Sequence, residues 1–282
     1  MKVLVTGATG GLGELVVNNL LSRGITVIAS SRNEDKAKKS AFYTKVIYKP
    51  YVIGENINTD LFSYFEKPDA LIHLAWEKLN EYKNEEHLTS ILENHKKFVS
   101  NLFANGLKDF TGVGTCYEYG IREGILEEAM PASPVLPYPE AKNRFREFCE
   151  QERLKYGFSF KWIRIFYVFG EVRERKNLYT LILNAVRNND KLFNMSGGEQ
   201  VRDFLTPEEI AANIVKIALQ TKVDGIINCC SGIPVKLKDF VTDFLARNNY
   251  KLDLNFGFYP YVDYEPMVTW GSVKKLKSIT TN

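Results

Sequence analysis

Tyr138 and Lys142 are the two side chains whose types and spacing most directly suggest chemistry. They stand four residues apart in LPYPEAKNRF. Because Pro139 can occupy the first helical position without loss of a backbone donor, we expect Tyr138 at a helix entrance, with Lys142 one turn later on the same face. An ammonium about 5 Å from a phenol stabilises the phenolate by up to ~3 kcal/mol, which favours proton transfer near neutral pH. The pair predicts an acid/base site, although such pairs on an arbitrary helix are more often surface pairs.

A glycine-rich turn near the N-terminus predicts a binding site for a dinucleotide pyrophosphate. The segment VTGATGGLG has GxxGxxG spacing and lies directly between an apolar β-rich run and a helical pattern. Glycines there allow the backbone to approach a pyrophosphate, and the free N–H groups of the helix N-terminus favour an anion. The cofactor-binding residues expected in this turn are Gly7, Thr9, Gly10, Gly11, Leu12 and Gly13.

The end of the second β-rich run predicts which dinucleotide binds. Ser30, Ser31 and Arg32 stand where such a fold contacts the adenosine ribose. NAD enzymes usually offer a carboxylate there, whereas serine and arginine side chains suit a 2′-phosphate. We therefore expect NADP (NADPH), with Ser31 and Arg32 as ligands and NAD possible. In the alternative, Arg32 is a solvated loop residue and Glu34 or Asp35 contacts the ribose.

Short apolar runs alternate with longer helical patterns along the chain. Examples of the runs are KVLVTG, ITVIASS, DALIHLAW, KDFTGVG and FKWIRIFYVFG. Nearly continuous apolar runs separated by helices predict βαβ units and a parallel sheet covered on both faces. We expect an α/β protein with a Rossmann-type doubly wound sheet in residues 1–170. A smaller, interleaved substrate-binding lobe is expected mainly in residues 171–282, with some segments returning to the Rossmann core.

Composition excludes several classes of protein. The 282 residues, 45% of them hydrophobic, suffice for a substantial core, and 37 basic against 34 acidic residues give a net charge of +3. No basic stripe interleaved with aromatic residues suggests a nucleic-acid partner, and no apolar run reaches bilayer length. We therefore expect a cytoplasmic protein without a membrane partner. The four cysteines and three histidines lack the spacing of a metal site or disulfide framework, so no metal is expected.

Together, these motifs resemble the extended short-chain dehydrogenase/reductase family of sugar-nucleotide enzymes. VTGATGGLG, DALIHLAW, GTCYEYG, YPEAK, RIFYVFG and GGEQVRDF occur in the family's order and at its approximate spacings. The resemblance implies that Tyr138 is the acid/base, that Lys142 holds the nicotinamide ribose and that Thr115 takes the place of the catalytic serine or threonine. It also implies that Leu74 and Ala75 lie beside the cofactor.

The same resemblance implies where a nucleotide sugar binds. Arg202, in VRDF, matches the arginine that such enzymes place on the substrate diphosphate. Trp76, Cys116 and Tyr117 directly follow the cofactor and threonine motifs and are expected to line the sugar pocket. Relatives commonly dimerise, so a homodimer is expected.

The segment after Gly170 usually covers the nucleotide in such enzymes. Asn177 is the expected substrate ligand there, accompanied by Arg173 and Arg175, although three polar residues could equally form a solvated turn. Trp270 and the tyrosines of FYPYVDYEP could stack on a base, but we expect them to pack inside the small lobe.

The remaining histidines and cysteines are expected to be structural. His73, in the HLA motif, predicts a core or cofactor-wall position, whereas His87 and His95 are expected at helix surfaces. The cysteines expected as ordinary buried residues are Cys149, Cys229 and Cys230.

The residues after Thr115 exclude one reaction of the family. The 4,6-dehydratases carry aspartate and glutamate there, because elimination of water needs an acid and a base beyond the tyrosine. Cys116 and Tyr117 are poor substitutes, since an ordinary thiol titrates near 8.5 and a phenol near 10. Glu118 is one residue out of register, so its side chain should point elsewhere.

The remaining chemistry is hydride transfer with one proton. We expect NADPH-dependent reduction of the C4 ketone of a nucleotide-linked 4-keto-6-deoxyhexose. The expected substrate is dTDP-4-keto-6-deoxyglucose, giving a sugar such as dTDP-fucose for surface polysaccharides. An NAD-dependent nucleotide-sugar 4-epimerase is the alternative, and a non-catalytic NADP-binding regulator is a third possibility.

Overall fold

The computed structural model describes residues 1–55, 59–173 and 176–279, so Arg175 lies outside the described residues. The described strands are β1 (Lys2–Thr6), β2 (Thr26–Ser31), β3 (Ile47–Pro50), β4 (Ala70–His73), β5 (Asp109–Thr115), β6 (Gly124–Leu126), β7 (Ser159–Ile165), β8 (Tyr167–Val168), β9 (Leu192–Asn194), β10 (Val201–Arg202), β11 (Phe204–Leu205), β12 (Gly225–Cys229), β13 (Val235–Lys236), β14 (Asp253–Asn255) and β15 (Thr269–Gly271).

The described helices are α1 (Gly11–Ser22), α2 (Glu34–Lys38), α3 (Leu61–Tyr64), α4 (Ser90–Ala104), α5 (Pro137–Tyr156), α6 (Leu178–Arg187), α7 (Pro207–Leu219), α8 (Leu237–Arg247) and α9 (Lys274–Ser278). Short 3₁₀ turns lie at Tyr43–Lys45, Glu85–Leu88 and Cys116–Tyr119. None of the described helices combines the length and the apolar character needed to cross a bilayer.

Seven parallel strands form the central sheet, in the order β12-β7-β5-β4-β1-β2-β3. The order reverses between β1 and β4, and the crevice at the carboxyl ends of the strands around such a switch point is where α/β proteins bind ligands. The predicted α/β, doubly wound architecture is confirmed.

Helices cover both faces of this sheet. On one face, α1 packs against α7, with Val16, Val17 and Ile214 in one apolar cluster with the strands. On the other face, α4 packs against α5, with Phe98 and Phe145 in a second cluster. Strands covered on both sides explain the nearly continuous apolar runs in the sequence.

The C-terminal part of the chain divides between the sheet and a smaller lobe. α7 and β12 belong to the Rossmann core, where β12 pairs with β7 at the edge of the sheet. The lobe is built around α6 and α8, whose apolar faces meet the paired strands β9 and β14. The segments therefore interleave, and a boundary at residue 170 stays a prediction.

Two expectations about buried side chains have different outcomes. The three cysteines outside the GTCYEYG motif are free and buried, as expected. The expectation that the FYPYVDYEP aromatics pack inside the lobe is wrong for Tyr259 and Tyr261, which are 53% and 42% exposed. The segment follows β14 across the surface of the lobe, while Trp270, in β15, is half-buried.

The glycine turn between β1 and α1 requires close backbone approach. Gly7 has a φ of +69°, a conformation that L side chains rarely adopt. A Cβ at Gly13 would lie only 2.1 Å from the Gly7 carbonyl oxygen. α1 therefore begins pressed against the turn, and no side chain caps its N-terminus.

We expect Gly13→Ala to destabilise the turn, since its Cβ would meet the Gly7 carbonyl oxygen at 2.1 Å and the Gly7 carbonyl carbon at 2.9 Å. Calorimetry should show a Tm lowered by about 4 °C or more, for a loss of about 2 kcal/mol. Gly10→Ala is the matched control, because its Cβ would meet one atom at 3.2 Å. Equal losses in both variants would show that backbone approach is not the reason for glycine at position 13.

Candidate active site

The carboxyl ends of β1, β4 and β5 bring three predicted motifs together. Thr6 pairs with His73, and His73 pairs with Gly112, so the segments after these strands leave the sheet at the same edge. A Cβ on Gly7 would lie 2.9 Å from the Ala75 nitrogen and 3.1 Å from the Leu74 carbonyl carbon. The glycine turn is therefore in contact with the Leu74–Ala75 turn, as expected for two parts of one cofactor site.

The glycine turn offers the chemistry that a pyrophosphate needs. The uncapped N-terminus of α1 leaves backbone N–H groups available to an anion, and the glycines leave the approach open. Thr9 is buried in the turn, and Leu12 packs on the core beneath it. The residues present therefore fit a dinucleotide.

Thr115 lies at the end of β5 and begins the 3₁₀ turn Cys116–Tyr119. Its hydroxyl accepts a hydrogen bond from the Tyr117 nitrogen at 3.3 Å, and the Glu118 carboxylate accepts one from the Thr115 nitrogen at 2.9 Å. This capping box fixes the turn, and the Thr115 hydroxyl proton can be donated to a substrate oxygen.

Glu118 points into the core, as its register predicts. Its fully buried carboxylate accepts hydrogen bonds from Trp162 Nε1 at 3.0 Å and from Arg164 Nε at 2.8 Å. The Arg164 guanidinium also stacks on Tyr119, with 4.1 Å between its carbon and the ring centroid. Glu118 is thus a structural carboxylate that holds the turn onto β7.

Cys116 and Tyr117 cannot replace the acid and the base that a 4,6-dehydratase carries at these positions. Burial raises the pKa of the Cys116 thiol above its ordinary range, and burial raises the pKa of Tyr117 well above 10. The Tyr117 hydroxyl instead donates to Glu265 at 2.8 Å. Both side chains therefore act as neutral walls of the site.

Tyr138 and Lys142 lie in the first turns of α5, which begins at Pro137 rather than at Pro139. Tyr138 is 7% exposed, its nitrogen donates to the Tyr82 carbonyl at 3.1 Å, and its ring stacks on the Tyr82 ring at 5.2 Å. Lys142 is buried, and its Nζ donates to the Val113 carbonyl at 2.9 Å. The Val113 contact places the ammonium beside the strand that ends at Thr115.

Trp76 forms one wall around the lysine. The Lys142 Nζ lies 3.9 Å from the centroid of one of its rings, and Trp76 is only 8% exposed. Trp76 Nε1 donates to His87 Nδ1 at 3.1 Å. These contacts favour a role for Trp76 in holding Lys142, rather than the predicted contact with substrate.

Two expectations about histidines are wrong. The helix-surface positions expected for His87 and His95 do not occur, because both side chains are fully buried. His95 lies against His73, with 2.8 Å between His95 Nδ1 and His73 Nε2. The core or cofactor-wall position expected for His73 is confirmed as a core position next to β1. The histidines face inward because each has a polar partner there.

Ser31 and Arg32, predicted to contact the adenosine ribose, lie at the end of β2. Ser31 is buried, and its hydroxyl is hydrogen-bonded to the Tyr48 hydroxyl at 2.9 Å. Because Tyr48 also donates to the Ser31 carbonyl at 3.1 Å, the Ser31 hydroxyl is left as the donor to Tyr48.

Arg32 is exposed, and its charge acts on Glu77. Burial acts to raise the pKa of Glu77, but a hydrogen bond from His95 and the charge of Arg32 act in the opposite direction, and the pKa lies below its ordinary value.

Arg202, in β10, lies on the Tyr117 side of the site, because both side chains contact Glu265. It is 4% exposed, its NH2 group pairs with Glu265 at 2.9 Å, and its guanidinium lies 5.0 Å from the Tyr167 ring centroid. Glu265 therefore links Arg202, Tyr167 and Tyr117 by one carboxylate.

The segment after β8 closes over the start of α1. A Cβ on Gly11 would lie 2.6 Å from Val172 Cγ1, and Arg173 pairs with Glu14 at 2.9 Å. Asn177 caps α6, because its side chain accepts from the Thr180 nitrogen at 2.9 Å and donates to the Gly170 carbonyl at 3.1 Å. Its amide therefore already has a structural role.

The sequence did not indicate three residues that the fold brings next to the predicted site residues. Tyr82 contacts the rings of both Tyr138 and Tyr117, and it lines a cleft of about 380 Å³ whose other side is Tyr264. Glu265 comes from the far end of the chain, and His95 from α4. The available signal for His95 was its position on the apolar face of an amphipathic helix.

The fold and the residues at its carboxyl edge define a dinucleotide-binding Rossmann protein. The chain belongs to the NAD dependent epimerase/dehydratase family, whose model matches residues 3–230.

Two curated relatives are oxidoreductases by name. The dTDP-6-deoxy-L-talose 4-dehydrogenase (NAD(+)) of Aggregatibacter actinomycetemcomitans is 28% identical over 96% of this chain and 100% of its own length. The GDP-6-deoxy-D-talose 4-dehydrogenase of the same organism is 24% identical over 83% of this chain and 75% of its own length.

A solved structure has the same fold. The UDP-glucuronic acid 4-epimerase of Bacillus cereus, in complex with UDP-glucuronic acid and NAD, superposes with a TM-score of 0.79. The match covers 100% of this chain and 95% of that one at 23% identity.

We expect Glu118→Gln to destabilise the protein by about 3–5 kcal/mol, because it leaves the Arg164 guanidinium buried without its charge partner. Urea unfolding at pH 7 measures the loss. The double variant Glu118→Gln/Arg164→Met should recover a large part of it, whereas two additive losses would contradict the pairing. Asp243→Asn is the control, since its pair with Arg247 is exposed and should change stability by less than about 0.5 kcal/mol.

Proposed function

We propose that the protein reduces the C4 ketone of a nucleotide-linked 4-keto-6-deoxyhexose with NADPH. The observation that supports the proposal is that Lys142 donates to the carbonyl of Val113, two residues before Thr115 on β5, with Tyr138 one turn before Lys142 on α5. Cys116 and Tyr117 follow Thr115, where a dehydratase needs carboxylates. Such a site can transfer one hydride and one proton, and the reaction needs no more.

The side chains of the site have distinct roles in this proposal. A reduced nicotinamide, when bound, would supply the hydride. Tyr138 donates the proton to the C4 oxygen, and Thr115 donates a hydrogen bond to the same oxygen as negative charge develops on it. The Lys142 ammonium, fixed on the Val113 carbonyl at 2.9 Å, favours the phenolate that remains and binds the nicotinamide ribose.

The sugar and the nucleotide are proposed from the lobe and the relatives. Arg202 would bind the diphosphate by exchanging its Glu265 carboxylate for phosphate oxygens. Both curated 4-dehydrogenases are named for 6-deoxy sugars, and a 4-dehydrogenation in reverse is a 4-keto reduction. A deoxythymidine nucleotide is proposed because the relative with the higher identity of the two is named for a dTDP sugar.

NADPH is proposed because Arg32 is exposed at the end of β2, where a carboxylate would otherwise bind the ribose. Arg32 is the proposed phosphate ligand, since the Ser31 hydroxyl is bonded to Tyr48. The dTDP-6-deoxy-L-talose 4-dehydrogenase uses NAD(+) by name, so the cofactor is tested separately from the reaction. A homodimer also stays a prediction.

We expect purified protein to oxidise NADPH stoichiometrically with dTDP-4-keto-6-deoxyglucose, and Tyr138→Phe to lower kcat by about 10²–10⁴-fold with little change in Tm. Absorbance at the nicotinamide band and NMR of the sugar measure both. Cys149→Ser is the control, because Cys149 is buried away from the reacting groups. Interconversion of a fully hydroxylated nucleotide sugar without net cofactor change would contradict the reductase assignment and support the 4-epimerase.

We expect Arg32→Gln to lower kcat/KM for NADPH by about 10–100-fold while kcat/KM for NADH stays unchanged, because only the 2′-phosphate loses its cation. Steady-state kinetics with both cofactors measures the ratio. Glu34→Gln tests the alternative ribose contact and should leave both values unchanged, since the Glu34 carboxylate already accepts a hydrogen bond from Tyr43 at 2.8 Å. A wild-type enzyme with equal kcat/KM for both cofactors would contradict the assignment.

A further inference from the structure

A continuous row of buried polar groups runs from β1 to the surface beside the candidate active site. Thr6 Oγ1 lies 2.9 Å from His73 Nδ1, His73 Nε2 lies 2.8 Å from His95 Nδ1, and His95 Nε2 lies 3.0 Å from the Glu77 carboxylate. The first three side chains are buried, and Glu77 is partly exposed. Four side chains from three elements and one loop therefore share one hydrogen-bonded row.

The direction of every hydrogen bond in this row is determined. The Glu77 carboxylate can only accept, so His95 Nε2 donates. Burial lowers the pKa of His95 and of His73, which makes both rings neutral near pH 7, so His95 Nδ1 accepts from His73 Nε2. His73 Nδ1 must then accept from the Thr6 hydroxyl, whose oxygen in turn accepts from the Ala75 nitrogen at 3.4 Å. One set of tautomers satisfies the row.

This fixed ring orientation matters because His95 supports Trp76. The two rings stack with centroids 4.4 Å apart and an interplanar angle of 22°. The Lys142 ammonium lies 3.9 Å from a ring centroid of the same indole. The negative face of an indole attracts an ammonium, so the angle of the indole affects where the ammonium rests.

We propose that His95 and Trp76 are positioning residues for Lys142. Glu77 and His73 fix the His95 ring, His95 holds the indole, and the indole and the Val113 carbonyl together fix the ammonium. Neither residue touches a reacting atom. The inference rests on the catalytic role proposed for Lys142.

The described histidines around the ammonium are uncharged near pH 7, because burial lowers the pKa of each. His87 is held by Trp76 Nε1 and by the Glu81 carbonyl, and Tyr138 lies one turn before Lys142 on α5. Among the described carboxylates, Glu77 is linked to this cluster through His95, which stacks on Trp76. Removal of the stack should therefore change the place of the ammonium.

The test uses His95→Gln and Trp76→Leu in the full chain. In the direction of alcohol oxidation, both variants should lower kcat by about tenfold or more and raise KM for the cofactor, because the displaced ammonium also loses the nicotinamide ribose, whereas KM for the sugar should change less than about twofold. The acid limb of the kcat–pH profile should move to higher pH, because a phenol deprotonates less readily when its ammonium neighbour is displaced. Trp76→Phe, which keeps an aromatic face, should lie between wild type and Trp76→Leu.

Leu102→Ala is the matched control, because Leu102 is buried on the same helix as His95 and belongs to the same apolar cluster as Trp76. It should lower Tm without moving the pH profile. If His95→Gln lowers Tm but keeps the wild-type kcat and pH limb, the positioning role is wrong.

A second measurement does not depend on turnover. With lysines labelled with ¹³C at the ε carbon, the Lys142 methylene should resonate upfield of the other lysines because of the indole ring current, and Lys142→Arg identifies the signal. His95→Gln should move it towards the other lysines. An unmoved signal would overturn the proposal, whereas a moved signal in a protein without reductase activity would leave the positioning intact and reject the proposed function.

Discussion

The carboxylate of Glu118 is the buried charge on which the geometry of the candidate site depends. It joins the turn after β5 to Trp162 and Arg164 of β7, and it also caps the nitrogen of Thr115. Such a pair is held at the cost of desolvating two ions, so it gives little net stability compared with apolar packing. Its effect is to allow one conformation of the turn. Thr115, Cys116 and Tyr117 then have fixed places at the sheet edge, and Glu118 is unavailable for chemistry.

A second carboxylate reaches the site from the opposite end of the chain. Glu265 accepts hydrogen bonds from Tyr117 and Arg202, so its carboxylate joins a C-terminal segment to the turn after β5. The charge of the pair is balanced within the site. In the proposed function, a substrate diphosphate would offer the Arg202 guanidinium the same kind of acceptor as Glu265 does.

The fold could be predicted from the sequence because its signals are local. Apolar runs, the glycine turn and the YPEAK segment each determine their own secondary structure, and parallel strands bring the segments after them to one edge of the sheet. The inward position of His95 could have been predicted from the apolar face of α4. The inward position of His87, the contact between Tyr82 and Tyr138 and the position of Glu265 could not be predicted in this way. Each depends on a contact outside regular secondary structure, and no local pattern shows which polar side chain will find a partner.

The described contacts of the Lys142 ammonium differ in kind from those of the Arg164 and Arg202 guanidinium groups. Arg164 and Arg202 each face a carboxylate, which cancels most of their field. The ammonium of Lys142 contacts a carbonyl oxygen and an indole face, both of which attract a cation. Burial keeps the neighbouring histidines uncharged, so they do not repel it. In the proposed reaction, an ammonium held in this place would stabilise the Tyr138 phenolate.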